Sequence, residues 1–209
     1  MEYSSFFNDI ENDRLYDMED FAEYFKDFLS TGVYHQDNVP ALRVVTTSGL
    51  STKLEPGKAF IEGYRYKNTE DITFTHEKAD TTNPRIDRIV LRLDRTMSGR
   101  NVKSFIKKGT PATNPTPPAL QRDNFIYEIS LAQVRINAGT ASITSITDER
   151  FDKNVAGLVS SLISVPLEEF QRQWDAWFTG RQNDVGVRLT TGSTEPTNVV
   201  AGDVWFKTI

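Results

Sequence analysis

The stretch from Pro84 to Asp94, PRIDRIVLRLD, constrains this chain more than any other. Ile86, Ile89, Val90, Leu91 and Leu93 are interleaved with Arg85, Asp87, Arg88, Arg92 and Asp94. Positions 89, 91 and 93 are apolar, which is the period-2 mark of a half-buried strand. Arg88, Arg92 and Asp94 then fall on the opposite face, where they can meet opposite charges on a neighbouring strand or subunit. Pro84 cannot continue a helix and sets the start of the strand. A strand of this kind is framework, and it needs sheet partners from elsewhere in the chain.

The flanking sequence offers them. Leu42–Thr46, Leu50–Leu54, Lys58–Ile61, Tyr64–Tyr66 and Ile72–His76 are short β-like runs punctuated by Gly49, Pro56-Gly57 and Gly63. Val102–Lys107 can pair back on the framework strand through a turn at Met97–Arg100. Phe125, Tyr127, Ile129 and Leu131 alternate, and the phase then slips to Val134 and Ile136, which predicts a bulge. Ser142–Ile146 is a shorter strand. The proline- and threonine-rich segment Gly109–Leu120 reads as an extended surface connection, because strands follow it at once. This texture indicates a mainly β fold, an antiparallel sandwich or rolled sheet.

Helical patterns flank the β region. Asp17 can cap a helix running to about Leu29, with Met18, Phe21, Ala22, Phe25, Phe28 and Leu29 on one stripe and Gly32 as the stop. Ahead of it, Phe6, Phe7 and Ile10 mark residues 1–14 as an arm that needs a docking surface. Beyond Asn154, Pro166 suits the first turn of a second helix that ends at Gly180. Ile163, Leu167, Phe170, Trp174 and Trp177 are spaced 4, 3, 4, 3, a short heptad seam. The tail carries Val204, Trp205 and Phe206 and reads as a small hairpin or as a strand added to something else. The expected organisation is an arm and helix at 1–40, a β-rich body at 41–153, and a helix with a β tail at 154–209.

Several function classes lack their residues. There is no cysteine, so thiol catalysis and cysteine-held metals are excluded. His35 and His76 stand alone, without companions at metal-ligand spacing, so neither metal nor cofactor is expected. The net charge of −5 argues against a binder of nucleic-acid backbones. No apolar run is long enough to span a bilayer, and the N-terminal segment lacks the features of a secretion signal. Asp148, Glu149 and Asp152 cluster with Arg150 in one turn, which suggests salt bridges at a strand–helix junction more than the paired carboxylates of a glycosidase. No phosphate loop or nucleophile elbow occurs. Tyr64, Tyr66 and Tyr127 could stack on sugars, and a carbohydrate-binding module for host cell-wall glycans is the alternative reading.

Taken in order, RLYDMEDFAEYFKDFLSTGVY (14–34), LEPGKAFIEGYRYKN (54–68), PRIDRIVLRLDR (84–95), KKGTPATNPTPPALQRD (107–123), YEISLAQVRINAG (127–139) and ITDERFD (146–152) resemble tail and baseplate structural proteins of phages and prophages of Gram-positive bacteria. The resemblance covers residues 3–157. It implies a non-enzymatic virion component made in the host cytoplasm, attached to the tail hub and to other tail or baseplate proteins, and joining or carrying a receptor-binding element. Members often continue into fibre or receptor-binding regions; here one short helix and a GDVWF tail follow, so no large C-terminal head is expected. A tryptophan-bearing heptad helix suits a homotrimeric junction. The residues expected at assembly interfaces are Phe6, Phe7, Phe21 and Phe25 near the N-terminus, and Leu167, Phe170, Trp174, Trp177 and Trp205 near the C-terminus.

Overall fold

The computed structural model describes residues 5–8, 10–11, 16–37, 39–163, 167–184, 189–197, 199 and 203–208. In chain order the elements are α1 (Met18–Lys26), β1 (Gly32–Val33), β2 (His35–Gln36), β3 (Val39–Pro40), β4 (Val44–Thr46), β5 (Ser51–Leu54), β6 (Gly57–Ile61), β7 (Tyr64–Asn68) and β8 (Ile72–Thr75). They continue with β9 (Arg85–Asp94), β10 (Asn101–Lys107), β11 (Ile126–Ile136), β12 (Ser145–Asp148), α2 (Leu167–Asp184), β13 (Leu189–Gly192) and β14 (Val204–Lys207). The fold is mainly β. It separates into two compact units, Met1–Ile163 and Ser164–Ile209.

The first unit is built on β9, as the alternation of apolar residues predicts. An antiparallel sheet runs β10-β9-β11-β12, and the smaller antiparallel sheets β1-β6-β7 and β4-β5-β8 accompany it. One apolar cluster joins all three, with Val33, Val44, Leu54 and Ile61 meeting Ile89, Leu91, Leu93, Ile129 and Val134. The phase slip in β11 is a register shift between Ser130 and Ala132. It lets Ile129 and then Ala132 face the same core as Leu91 and Ile89, with one residue bulged out between them.

β9 is not half-solvated. Seven of its ten positions are buried, Arg85, Asp87 and Arg88 among them, and Arg88 is 8% exposed. The cause is the segment 109–120, which lies as an ordered strap across the polar face. Ala112 N–H donates to the Pro84 carbonyl at 3.0 Å, and the Pro118 carbonyl accepts from Arg88 Nη1 at 2.8 Å. With water excluded, each charge on that face needs a partner. Arg88 grips Glu149 with two hydrogen bonds, Nε to Oε2 at 3.1 Å and Nη2 to Oε1 at 2.9 Å. Arg92 stands directly opposite Glu128 and donates to its Oε1 at 2.6 and 2.9 Å, as cross-strand charge pairing predicts. Lys107 and the Gln121 backbone N–H hold the other Glu128 oxygen.

Burial alone would raise the Glu128 carboxyl, but the Gln121 N–H, Lys107 and Arg92 outweigh it and hold the group below the usual carboxylate range. Asp87 behaves likewise: burial opposes ionisation, yet His76, the Gly109 N–H and Arg85 hold it below its ordinary range. A depressed folded-state pKa contributes stability that is complete above the unfolded value and is lost as pH falls through the folded one. The protein should therefore hold its stability from neutral pH down to about pH 5 and lose it below. Glu128→Gln should lower stability at neutral pH and make the acid limb shallower, measured by urea unfolding from pH 7 to pH 3. An unchanged acid slope would remove Glu128 from the account.

At the N-terminus α1 has the capping box anticipated for Asp17. Its carboxylate accepts from the Glu19 and Asp20 N–H groups, and Asp20 accepts from the Asp17 N–H. The helix ends at Lys26, short of the expected Leu29, because the following residues are taken into strand-like pairing. Ser30 N–H donates to the Ser160 carbonyl at 2.9 Å, and Leu162 N–H to the Phe28 carbonyl at 2.8 Å. Gly32 is not a helix stop. It lies in β1 where a Cβ would sit 2.7 Å from the Gly157 carbonyl oxygen, so only glycine permits that approach. The compact units thus divide after Ile163, where sequence texture places boundaries after residues 40 and 153. Residues 156–162 belong with 28–33 because their backbone groups satisfy each other.

In the second unit, α2 continues through Gly180 to Asp184. Open space surrounds Gly180, and a single exposed glycine costs only about 1 kcal/mol in a helix. The tail is not a hairpin: β13 and β14 pair in parallel, Leu189 with Val204 through Gly192 with Lys207. Pro166 lies outside the described residues. No helix of the described residues is long and apolar enough to cross a membrane.

Candidate assembly surfaces

Among the described residues, exposed aromatic side chains cluster in two regions, one in each unit. In the first, the arm turns back on its own helix. The Phe6 ring lies 5.8 Å from Tyr16, 5.5 Å from Phe21 and 4.8 Å, edge-on, from Tyr24. Tyr24 continues the cluster to Phe28 at 4.8 Å. Aromatic pairs at these separations are worth about 0.5–1.5 kcal/mol beyond their burial. They hold Phe6 at φ 69°, a conformation that non-glycine residues seldom adopt. The Phe7 N–H donates to the Tyr16 hydroxyl at 3.1 Å while its ring remains more than half exposed. Of the apolar stripe on α1, only Ala22 is buried, seated against Gly63. Met18, Phe21 and Phe25 instead line a groove of about 680 Å³ shared with Tyr64, Leu93, Arg95 and Val102. The arm's docking surface is thus partly its own helix, and the remaining apolar surface is open.

The second region is α2. Every residue from Glu168 to Gly180 is exposed, with Phe170 at 63%, Trp174 at 50% and Trp177 at 53%. The two indoles lie 5.1 Å apart. Phe178 adds a further exposed ring beside the seam. Leu167 opens the helix, and its side chain lies outside what is described. Ile163 precedes α2 as the last residue of the first unit, so the seam is counted from Leu167. In heptad terms Leu167, Phe170, Trp174 and Trp177 hold the a and d positions. Gln171, Gln173, Phe178 and Gly180 flank them, and Glu168, Glu169, Arg172 and Asp175 lie on the outer face. There Arg172 donates to both Glu169 oxygens, at 2.6 and 2.8 Å. A seam with uncharged flanks does not repel an identical copy. Trp205, in β14, is partly buried beside Thr190, and its indole N–H is enclosed without an acceptor among the described residues.

One buried cluster has the atom order of a nucleophile–base–acid triad. Thr52 Oγ1 lies 3.1 Å from His76 Nε2, and His76 Nδ1 lies 2.8 Å from Asp87 Oδ2. An ionised carboxylate can only accept, so Nδ1 carries the hydrogen and, in the neutral ring, Nε2 accepts from the threonine hydroxyl. Thr52 is 0% exposed and His76 3%, so no outside molecule reaches the hydroxyl. Arg85 completes the cluster by donating to Asp87 and to the carbonyls of Glu77 and Lys78. The arrangement ties the β4-β5-β8 sheet to β9, a structural role. His76 alone carried no signal in the sequence, since its partners are 11 and 24 residues away.

The acidic turn after β12 is also structural. Asp148 pairs with Arg150, whose guanidinium binds the Pro40 and Ala41 carbonyls, and Glu149 pairs with Arg88. No helix follows directly, so the junction is strand to turn. Tyr66 is 9% exposed within the apolar cluster, Tyr64 is partly buried in the groove wall, and Tyr127 stacks on Arg122 at 5.0 Å. They do not form a shared open platform for a sugar ring. The sequence reading missed Tyr24 and Phe178, which lie just off the stripes it traced, and Arg95 and Val102, which reach the groove from a distant hairpin. No family model matches the chain, and no curated protein matches it.

Proposed function

We propose that the protein is a non-enzymatic structural component of a phage tail baseplate, made in the host cytoplasm and incorporated into the virion. Its first unit attaches to the tail hub and other baseplate proteins through the arm and α1. Its α2 helix joins three copies into a homotrimer and connects to, or carries, the host receptor-binding element. The β-rich unit acts as a rigid antiparallel sandwich or rolled sheet that carries the arm, without metal or cofactor. The single observation that carries this reading is the exposed Phe170, Trp174 and Trp177 stripe with uncharged flanks, too much aromatic surface to leave in water. The aromatic surface of arm and α1 is a second place for a partner. Glycan recognition by Tyr64 and Tyr66 is set aside because Tyr66 belongs to the apolar cluster.

The test is location. Gold-labelled antibody against the first unit, applied to tails from a producing host, should decorate the tail tip, and mass spectrometry should find the chain in purified particles. Label confined to the capsid, or absence of the chain from particles, rejects the proposal.

A further inference from the structure

The groove beside α1 combines an apolar floor with a cationic rim. Ala22, Phe25, Leu93 and Val102 form part of the floor, while Arg65, Arg95 and Arg100 line the same cavity. Two carboxylates share it, Glu19 and Asp94. Asp94 is engaged elsewhere, its Oδ1 accepting from both the N–H and the hydroxyl of Thr96. Arg95 Nε is shut off from solvent and has no acceptor among the described residues. An occupant that fits must bring an apolar side chain and, next to it, a carboxylate.

We propose that the groove receives the N-terminal arm of a second copy of this chain, with Ile10 on the apolar floor and the Glu11 carboxylate against Arg95 and Arg100. The arm carries the required pairing: Ile10 stands between Asp9 and Glu11 in the sequence and is 71% exposed. With Asp94 held by Thr96, the three arginines outnumber Glu19, and acid–apolar–acid complements that cationic excess over an apolar floor. Phe6 keeps the root of the arm on its own α1, and the chain from Phe6 to Ile10 reaches at most about 14 Å from that anchor. Within one copy Ile10 is not among the residues that line the groove. The contact is heterologous, arm to groove, and such contacts close into a ring when the rotation allows. Closure into three copies rests on the homotrimer reading; the arm–groove contact does not.

The chain has no cysteine, so a pair of them can be introduced without background. Full-length protein carrying Ile10→Cys is mixed with full-length protein carrying Met18→Cys, both exposed positions, in the presence of oxidised glutathione. The expected result is a disulfide-linked heterodimer forming about tenfold faster, or more, than with a control partner carrying Thr73→Cys on exposed β8. Glu11→Lys on the arm copy, or molar salt, should slow it towards the control. Equal rates with Met18→Cys and Thr73→Cys overturn the proposal. So does a concentration-independent intrachain disulfide in the double variant without heterodimer, which would place the arm in its own groove. In chains that also carry Trp174→Ala and Trp177→Ala the Met18 pairing should still outrun the Thr73 pairing, so failure of the homotrimer leaves this result in place.

Discussion

Glu149→Ala should remove about 3–5 kcal/mol of folding stability, the scale of breaking a buried ion pair from one side. Glu149 is 6% exposed and receives Arg88 through two nitrogens, the Ser130 hydroxyl and the Gln133 amide. Truncation leaves the guanidinium of Arg88 under the strap with the Pro118 carbonyl at 2.8 Å as its one remaining partner among the described residues. The penalty is the desolvated charge left behind, not the net worth of the pair. Two comparisons separate these terms. Glu77→Ala breaks the exposed pair with Lys108, whose side chains are 69% and 47% exposed, and should change stability by less than about 0.5 kcal/mol. Arg88→Met with Glu149→Leu removes both charges and should recover most of the loss. Urea midpoints at constant slope are the measurement. A loss under about 1 kcal/mol for Glu149→Ala would mean that water reaches Arg88 beneath the strap.

Trp174→Ala with Trp177→Ala should lower the oligomeric state of the proposed homotrimer in light scattering while leaving the first unit folded. Buried aromatic anchors at an interface typically cost about 2–4 kcal/mol each on truncation, and each substitution occurs in every copy of a symmetric assembly. In the isolated chain both indoles are half exposed, so little intrachain packing is lost. A chain ending at Ile163 is the matching deletion. It keeps residues 156–162, whose backbone satisfies 28–33, and should stay folded with the same lowered mass as the double variant. A chain ending at Asn154 would strip that pairing, and with it Ala156 from the apolar cluster, and so confuse assembly with unfolding. Unchanged mass in the double variant rejects α2 as the trimer seam.

Much of the first unit was legible locally. Alternation at Ile89, Leu91 and Leu93 located β9, the slip after Leu131 located the bulge in β11, and Asp17 located the start of α1. Each signal is a periodicity or a cap contained in a few residues. The end of α1 and the place of Gly32 were not legible, because they depend on a segment some 130 residues away, as the Ser30–Ser160 contact shows. The candidate surfaces divide the same way. Phe170, Trp174 and Trp177 could be read as a stripe because helical spacing is local. The groove could not, since Leu93, Arg95 and Val102 meet Phe25 only through folding.

The sequence by itself located both helices, most of the longer strands and their apolar faces, since backbone period and side-chain polarity suffice there, while the short β1, β2 and β3 carried no such period. Only the tertiary structure decided that the second face of β9 is dry. The strap at 109–120 covers it, and Arg88 then needs Glu149 from 61 residues away. It likewise decided that His76 belongs to a sealed Thr52–Asp87 cluster and that β13 and β14 run parallel. Partners of that kind are set by chain crossings and excluded water, which no local pattern encodes.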